Sequence, residues 1–225
     1  MDSTNENKQV RTKERVTDHG EVFTSPREVN AMLDLVKQET ERIDSRFLEP
    51  ACGNGNFLAE VLRRKLAVVE SRYAKSQVDY ERHAITAVSS IYGIDILLDN
   101  VEECRQRLFK IFEDSYRKLF KEKCKENYEQ SITFILNRNI IHGDALTLKQ
   151  VGLVDDPIIF SEWSLVHRDQ IKRRDFTMTT LLENQPMDEP NLFSDLGDEA
   201  FIPTPCAKYP LQSIYNLAEN VQNKL

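Results

Sequence analysis

Glycine is scarce in this chain, seven in 225 residues, yet Gly53, Gly55, Gly93 and Gly143 all fall where an apolar run ends. A residue without a Cβ belongs where the backbone turns sharply or approaches something closely. Residues 46–49 read as a short strand running into Pro50-Ala51-Cys52-Gly53-Asn54-Gly55, and residues 91–95 as a buried strand closing on an acid. Residues 132–141 form a β-prone run closed by His142-Gly143-Asp144-Ala145-Leu146. Helical spacing fills the intervals: Phe57, Leu58, Val61, Leu62 and Val69 on one segment, residues 77–89 on a second, and Val101, Cys104, Leu108, Ile111 and Phe112 along a third at 98–125. Strand and helix in alternation predict an α/β fold, in which ligands sit outside the carboxyl ends of the strands.

The rest of the chain organises around that core. Residues 1–19 are polar, of mixed charge and without apolar periodicity, and read as a mobile arm. Residues 20–165 form the domain, opening with a helix at 27–41 that Ser25 caps and Pro26 starts. Residues 157–163 are a fourth apolar strand, and no later strand is expected. Residues 166–225 read as a linker, acidic and proline-rich over 175–207, and a C-terminal amphipathic helix with Leu211, Ile214, Tyr215, Ala218 and Val221 on one side.

Composition excludes several classes. Charged residues at 30% and hydrophobic ones at 40% suit a globular protein, and no apolar run reaches the roughly 20 residues of a spanning helix. With a polar start lacking a signal-peptide core, the expected location is cytoplasmic. Cys52, Cys104, Cys124 and Cys206 contain no CxxC pair, and His142 and His167 have no partner at ligand spacing, so neither disulfide nor metal is expected. A net charge of −7 argues against coating nucleic acid by bulk electrostatics. Arg168, Lys172, Arg173 and Arg174 are the concentrated basic patch, either a phosphate contact or a solvated loop.

Each strand-end loop admits two readings. Residues 49–57 are either a plain strand-to-helix turn or a cradle in which a helix N-terminus receives an anionic group. Asp95 is either a helix-start carboxylate or an acceptor for two ribose hydroxyls. Asp144 is either a turn aspartate or an acceptor for an exocyclic amino group, with Ala145 and Leu146 against a ring. Three such loops in this order favour the ligand-binding reading jointly.

Phe47-Leu48-Glu49-Pro50-Ala51-Cys52-Gly53-Asn54-Gly55-Asn56-Phe57-Leu58 resembles the first motif, DPACGSGNFL, of the adenine-N6 DNA methyltransferases of restriction-modification systems. Gly20 to Pro26 resembles their preceding Phe-Thr-Pro segment, with Ser25 interrupting it; Tyr92-Gly93-Ile94-Asp95 and residues 139–146 resemble the next two motifs, so the likeness covers about residues 16–150. It implies a class I methyltransferase (Rossmann-like) sheet with helices on both faces, incomplete here, and S-adenosyl-L-methionine as cofactor. Phe23, Thr24, Glu49, Pro50, Ala51, Gly53, Gly55 and Phe57 would then hold the methionine end, Asp95 and Ile96 the ribose, and Asp144, Ala145 and Leu146 the adenine. The family's Asn-Pro-Pro-Tyr motif at the fourth strand is replaced by Ser161-Glu162-Trp163-Ser164. Ser161, Glu162 and Trp163 are therefore either a diverged catalytic pocket for a flipped adenine or a strand end whose catalytic loop is lost. Strands five to seven and a target-recognition domain have no counterpart. The resemblance thus implies either a site-specific DNA methyltransferase, or a subunit of one, in a restriction-modification or phage-defence system, or a non-catalytic cofactor-binding subunit regulating a partner. In both cases a protein partner is expected to cover the open sheet and bring the DNA.

Overall fold

The computed structural model describes residues 12–19, 21–182 and 203–219. It is an α/β protein. Strands β1 (Phe47–Glu49), β2 (Ile91–Asp95) and β3 (Ile140–Asp144) pair in parallel in that spatial order, and β4 (Lys149–Gln150) adds antiparallel to β3. The helices between them are α4 (Asn56–Tyr73), α5 (Gln77–Ser89), α6 (Leu98–Phe120) and α7 (Glu126–Asn139).

Alternation along β2 and β3 sorts the core into two parts. Ile91 and Ile140 point into the helices, where Leu58, Leu62, Ile85, Leu108, Phe112, Tyr128 and Ile132 are buried. Tyr92, Ile94 and Ile141 point the other way, onto Ile158, Phe160 and Met178. Helices α4 to α7 therefore pack on one face. The opposite face, expected to carry helices too, is covered by the start of a hairpin of β5 (Ile159–His167) and β6 (Gln170–Thr177), to which β7 (Ala207–Lys208) and β8 (Gln212–Ser213) add, while Trp163 and Ile171 further along it bury with the helices. Leu48, in register with Tyr92 but at the free edge on β1, stays 47% exposed.

Several sequence expectations are corrected here. The β-prone run at 132–141 is mostly α7: Tyr128, Ile132, Ile135 and Leu136 repeat at helical spacing and bury together, and that tertiary packing overrides the preference of isoleucine for strands. Residues 157–163 do not extend the parallel sheet, because β5 pairs antiparallel with β6 instead. Strand β6 escaped notice since its inward residues include Arg173 and Asp175, which satisfy each other at 2.6 Å under Tyr209. That pairing also removes Arg173 from the basic patch, while Arg174 pairs with Glu162. The first part of the expected linker is β6 and α8 (Met178–Leu182), and residues 183–202 lie outside the described ones. No C-terminal helix forms over 211–217. There β8 and a turn are pinned to Asp169, which accepts from the Ile214 N–H and the Ser213 hydroxyl, and Ile214 and Leu217 are buried; Val221 lies outside the described residues. The described end of the expected arm is helix α1 (Lys13–His19).

The Ser25 cap matches, closing a reciprocal box with Glu28, but the helix expected at 27–41 forms in two pieces, α2 (Pro26–Asp34) and the short α3 (Lys37–Thr40). Among the described residues no helix is long and apolar enough to cross a membrane.

Gly55 caps α4 in the left-handed region at φ 85°, and a Cβ there would lie 2.6 Å from the Cys104 sulfur. Gly55→Ala combines left-handed strain with overlap against a buried side chain, and is expected to destabilise by about 2 kcal/mol or more. A lowered urea midpoint at unchanged slope is the expected signature.

Candidate functional site

The carboxyl ends of β1, β2 and β3 open into a cleft of about 540 Å³. Of the residues expected to bind a cofactor, Phe23, Thr24, Glu49, Pro50, Ala51, Gly53, Phe57, Asp95, Ile96, Asp144, Ala145 and Leu146 all line it. Gly55 does not. Its part is conformational: its N–H donates to the Cys52 carbonyl at 2.8 Å and turns the chain into α4.

The loop after β1 is shaped by Asp95. One carboxylate oxygen accepts from the Gly53 N–H at 2.8 Å, and the other from the Leu97 N–H at 2.9 Å and the Asn100 amide at 3.2 Å. Gly53 itself is left-handed, at φ 51°, and a Cβ on it would meet the Phe23 ring at 3.1 Å. The segment from Glu21 to Thr24 thus folds directly over the glycine loop. Asn56 fastens it there, donating its side-chain amide to the Thr24 carbonyl at 3.0 Å.

Glu49 ends β1 with one carboxylate oxygen, Oε2, buried and without a hydrogen-bond partner. Burial, and then the nearby Asp95 charge, push its carboxyl up to about 8. Asp144, at the outer end of β3, accepts from the Leu146 N–H at 2.9 Å, and that backbone bond holds its carboxyl below the usual range. Leu146 stands 94% exposed at the rim.

The electrostatic character is one-sided. Glu21, Glu49, Asp95 and Asp144 line the cleft, and among the described residues no Lys or Arg does. Arg15 balances Glu21 from behind, so Asp95, Asp144 and, once ionised, Glu49 set the charge a ligand meets, which disfavours phosphate and favours cationic centres. In the same cleft as Glu49, the N-terminus of α4 at Asn56 and Phe57 offers a place for one anionic group.

Ser161, Glu162 and Trp163 are not brought to the cleft. Ser161 is buried and donates to Asp175 at 2.7 Å, and Glu162 pairs with Arg46 at 2.5 Å. The Trp163 indole donates to Asn139 at 3.0 Å and packs edge-on against Phe134. The Trp163 indole ties the hairpin to α7, while Ser161 bonds within the hairpin and Glu162 reaches Arg46 ahead of β1. Sequence reading missed Glu21, Asn54, Asn56 and Asn100 as lining residues. Asn54 and Asn56 lay within the glycine loop itself, but Asn100 was one polar residue among many on an amphipathic helix. Among the described residues no cluster suits a metal ion.

No protein-family model, no curated protein and no solved structure matches the chain.

Proposed function

We propose that this chain binds S-adenosyl-L-methionine in the strand-end cleft and serves as the cofactor half of an adenine-N6 DNA methyltransferase of a restriction-modification or phage-defence system. The observation that carries the reading is a cleft lined by Glu21, Glu49, Asp95 and Asp144 and, among the described residues, by no Lys or Arg, together with a helix N-terminus. The cofactor is an amino acid with a sulfonium and no phosphate, so its charges complement these walls where a dinucleotide's would not. Glu49 would take the ammonium, the start of α4 the carboxylate, Asp95 the ribose and Asp144 the adenine amino group. When bound, the cofactor supplies an electrophilic methyl group. The motif resemblance supports the adenine-N6 assignment.

The placement of Ser161, Glu162 and Trp163 away from the cleft favours division of labour. A partner chain would supply the groups that accept the amino hydrogens of a flipped adenine, and the surface that holds DNA. The same observation supports the second reading, a non-catalytic subunit that binds the cofactor and regulates its partner.

Calorimetry tests the central claim. The wild-type chain is expected to bind S-adenosylmethionine, and Asp95→Ala to weaken binding by about 1.5–3 kcal/mol, the range for hydrogen bonds to a charged group. Absence of wild-type binding at millimolar cofactor would overturn the proposal. Methyl transfer to duplex DNA should be absent for the chain alone. Its recovery with the product of an adjacent gene separates the first reading from the second.

A further inference from the structure

Helix α1 is tied to the cleft by one guanidinium. Arg15 donates to both Asp99 oxygens, at 2.5 and 3.2 Å, and to Glu21 at 2.7 Å, joining α1, the segment after it and the start of α6. The Glu21 side chain is 6% exposed and that of Asp99 51%, so the inner pair is desolvated while the outer one is screened by water. Asn100, fully buried, carries the link inward: its amide donates to Glu21 at 2.8 Å and to Asp95 at 3.2 Å. Asp95 in turn accepts from the Gly53 N–H. A continuous chain of charge-assisted hydrogen bonds therefore runs from α1 to the loop that shapes the cleft.

We infer that α1 is a strap whose closure by Arg15 sets the position of Asp95 and the Gly53 loop for ligand, making Arg15 a positioning residue for binding. With the strap undocked, the buried Glu21 carboxylate loses its countercharge. It then faces the Asp95 carboxylate through Asn100 alone, and like charges in a poorly solvated site repel strongly. Glu21 also leads directly into Val22, Phe23 and Thr24, so its displacement moves one wall of the cleft. A ligand touching both that wall and Asp95 holds the strap shut, and by reciprocity the closed strap tightens the ligand. A helix that merely added stability would, on its loss, speed exchange in α5 and α7 as well as at the cleft, and would leave binding unaffected.

The coupling rests on the functional reading only for the identity of the ligand, and amide hydrogen exchange separates the two. Without ligand, Arg15→Ala is expected to speed exchange of the Gly53 and Leu97 amides, both held by Asp95, at least tenfold, with amides of α5 and α7 unchanged. Arg15→Lys should recover part of that protection. With S-adenosylhomocysteine as probe, Arg15→Ala should bind about tenfold more weakly than wild type, mainly through faster dissociation. Gly53 and Leu97 exchange within twofold of wild type would overturn the strap whatever the ligand result. Affinity within twofold of wild type would also overturn it. Failure of the wild-type chain to bind the probe, with the amide effect present, would instead sink the functional reading and leave the strap standing.

Discussion

Replacing Lys65 by methionine is expected to destabilise the fold by about 2–4 kcal/mol at pH 9 and by far less at pH 6.5. Lys65 has no exposed surface, and its amino group donates to the Ile43 and Ser45 carbonyls and the Ser90 hydroxyl while lying 5.2 Å from the centre of the Phe47 ring. It fastens the approach to β1 onto α4 and the end of α5. Methionine fills the volume but leaves these acceptors short of a donor, and each unsatisfied buried group costs about 1–3 kcal/mol. Against that stands desolvation of the charge, which pulls the ammonium down from 10.5 to about 7. Because the folded-state value lies below the unfolded one, the unfolded chain binds more protons between the two. Wild-type stability, relative to the variant, therefore rises with pH across that window and levels off below 7. At about 1.4 kcal/mol per unit, the difference between the proteins should grow by roughly 2–3 kcal/mol from pH 7 to pH 9. Denaturant midpoints for both proteins at the two pH values would show it, and parallel curves would refute the assignment.

What the chain reveals before it is folded follows from how local the determining interactions are. The glycine loops, the Ser25 cap and the helices around Leu58, Ile85 and Leu108 are set by neighbours a few residues apart, and they were legible. The cleft was legible for the same reason, as three short loops each carrying its own acid. Helix α7 was misread because isoleucines at 132, 135, 140 and 141 straddle two elements, and only packing on α5 and α6 divides them at Asn139. The hairpin was hidden by Arg173 and Asp175, which look solvent-facing singly and are buried as a pair. In sequence, Ser161, Glu162 and Trp163 follow an apolar run that reads as a strand end, which is what points to chemistry there. Once β5 runs on to His167 beside β6, they sit mid-strand with their hydrogen bonds made. The link from Arg15 through Glu21 and Asn100 to Asp95 spans over eighty residues in sequence, and no spacing rule encodes it.

Glu49→Gln is expected to part stability from binding. The Glu49 carboxyl, raised to about 8 from 4.5, binds a proton that the unfolded chain has released. The stability this lends is fully present below pH 4.5 and is lost as pH rises through 8, where an unpartnered buried oxygen carries charge beside Asp95. Glutamine has no charge to bury, so above pH 8 the variant should be the more stable protein, by about 2 kcal/mol. Binding should move the other way. A ligand ammonium at Glu49 favours the ionised carboxylate, so wild-type affinity for S-adenosylmethionine should climb roughly tenfold from pH 6.5 to 7.5, with a proton released on binding. It should peak near pH 8 and fall at higher pH, as the ligand's own amino group, with a reference value of about 7.7–8.0, loses its proton. The glutamine variant should bind at least tenfold more weakly at pH 7.5, consistent with loss of a charge-assisted hydrogen bond of about 1.5–3 kcal/mol, and should show little pH dependence below 7.5. Calorimetry in buffers of different ionisation enthalpy reads the affinity and the released proton together. A glutamine variant that binds as tightly as wild type, or a wild type whose affinity is flat from pH 6.5 to 7.5, would remove Glu49 from the ammonium site.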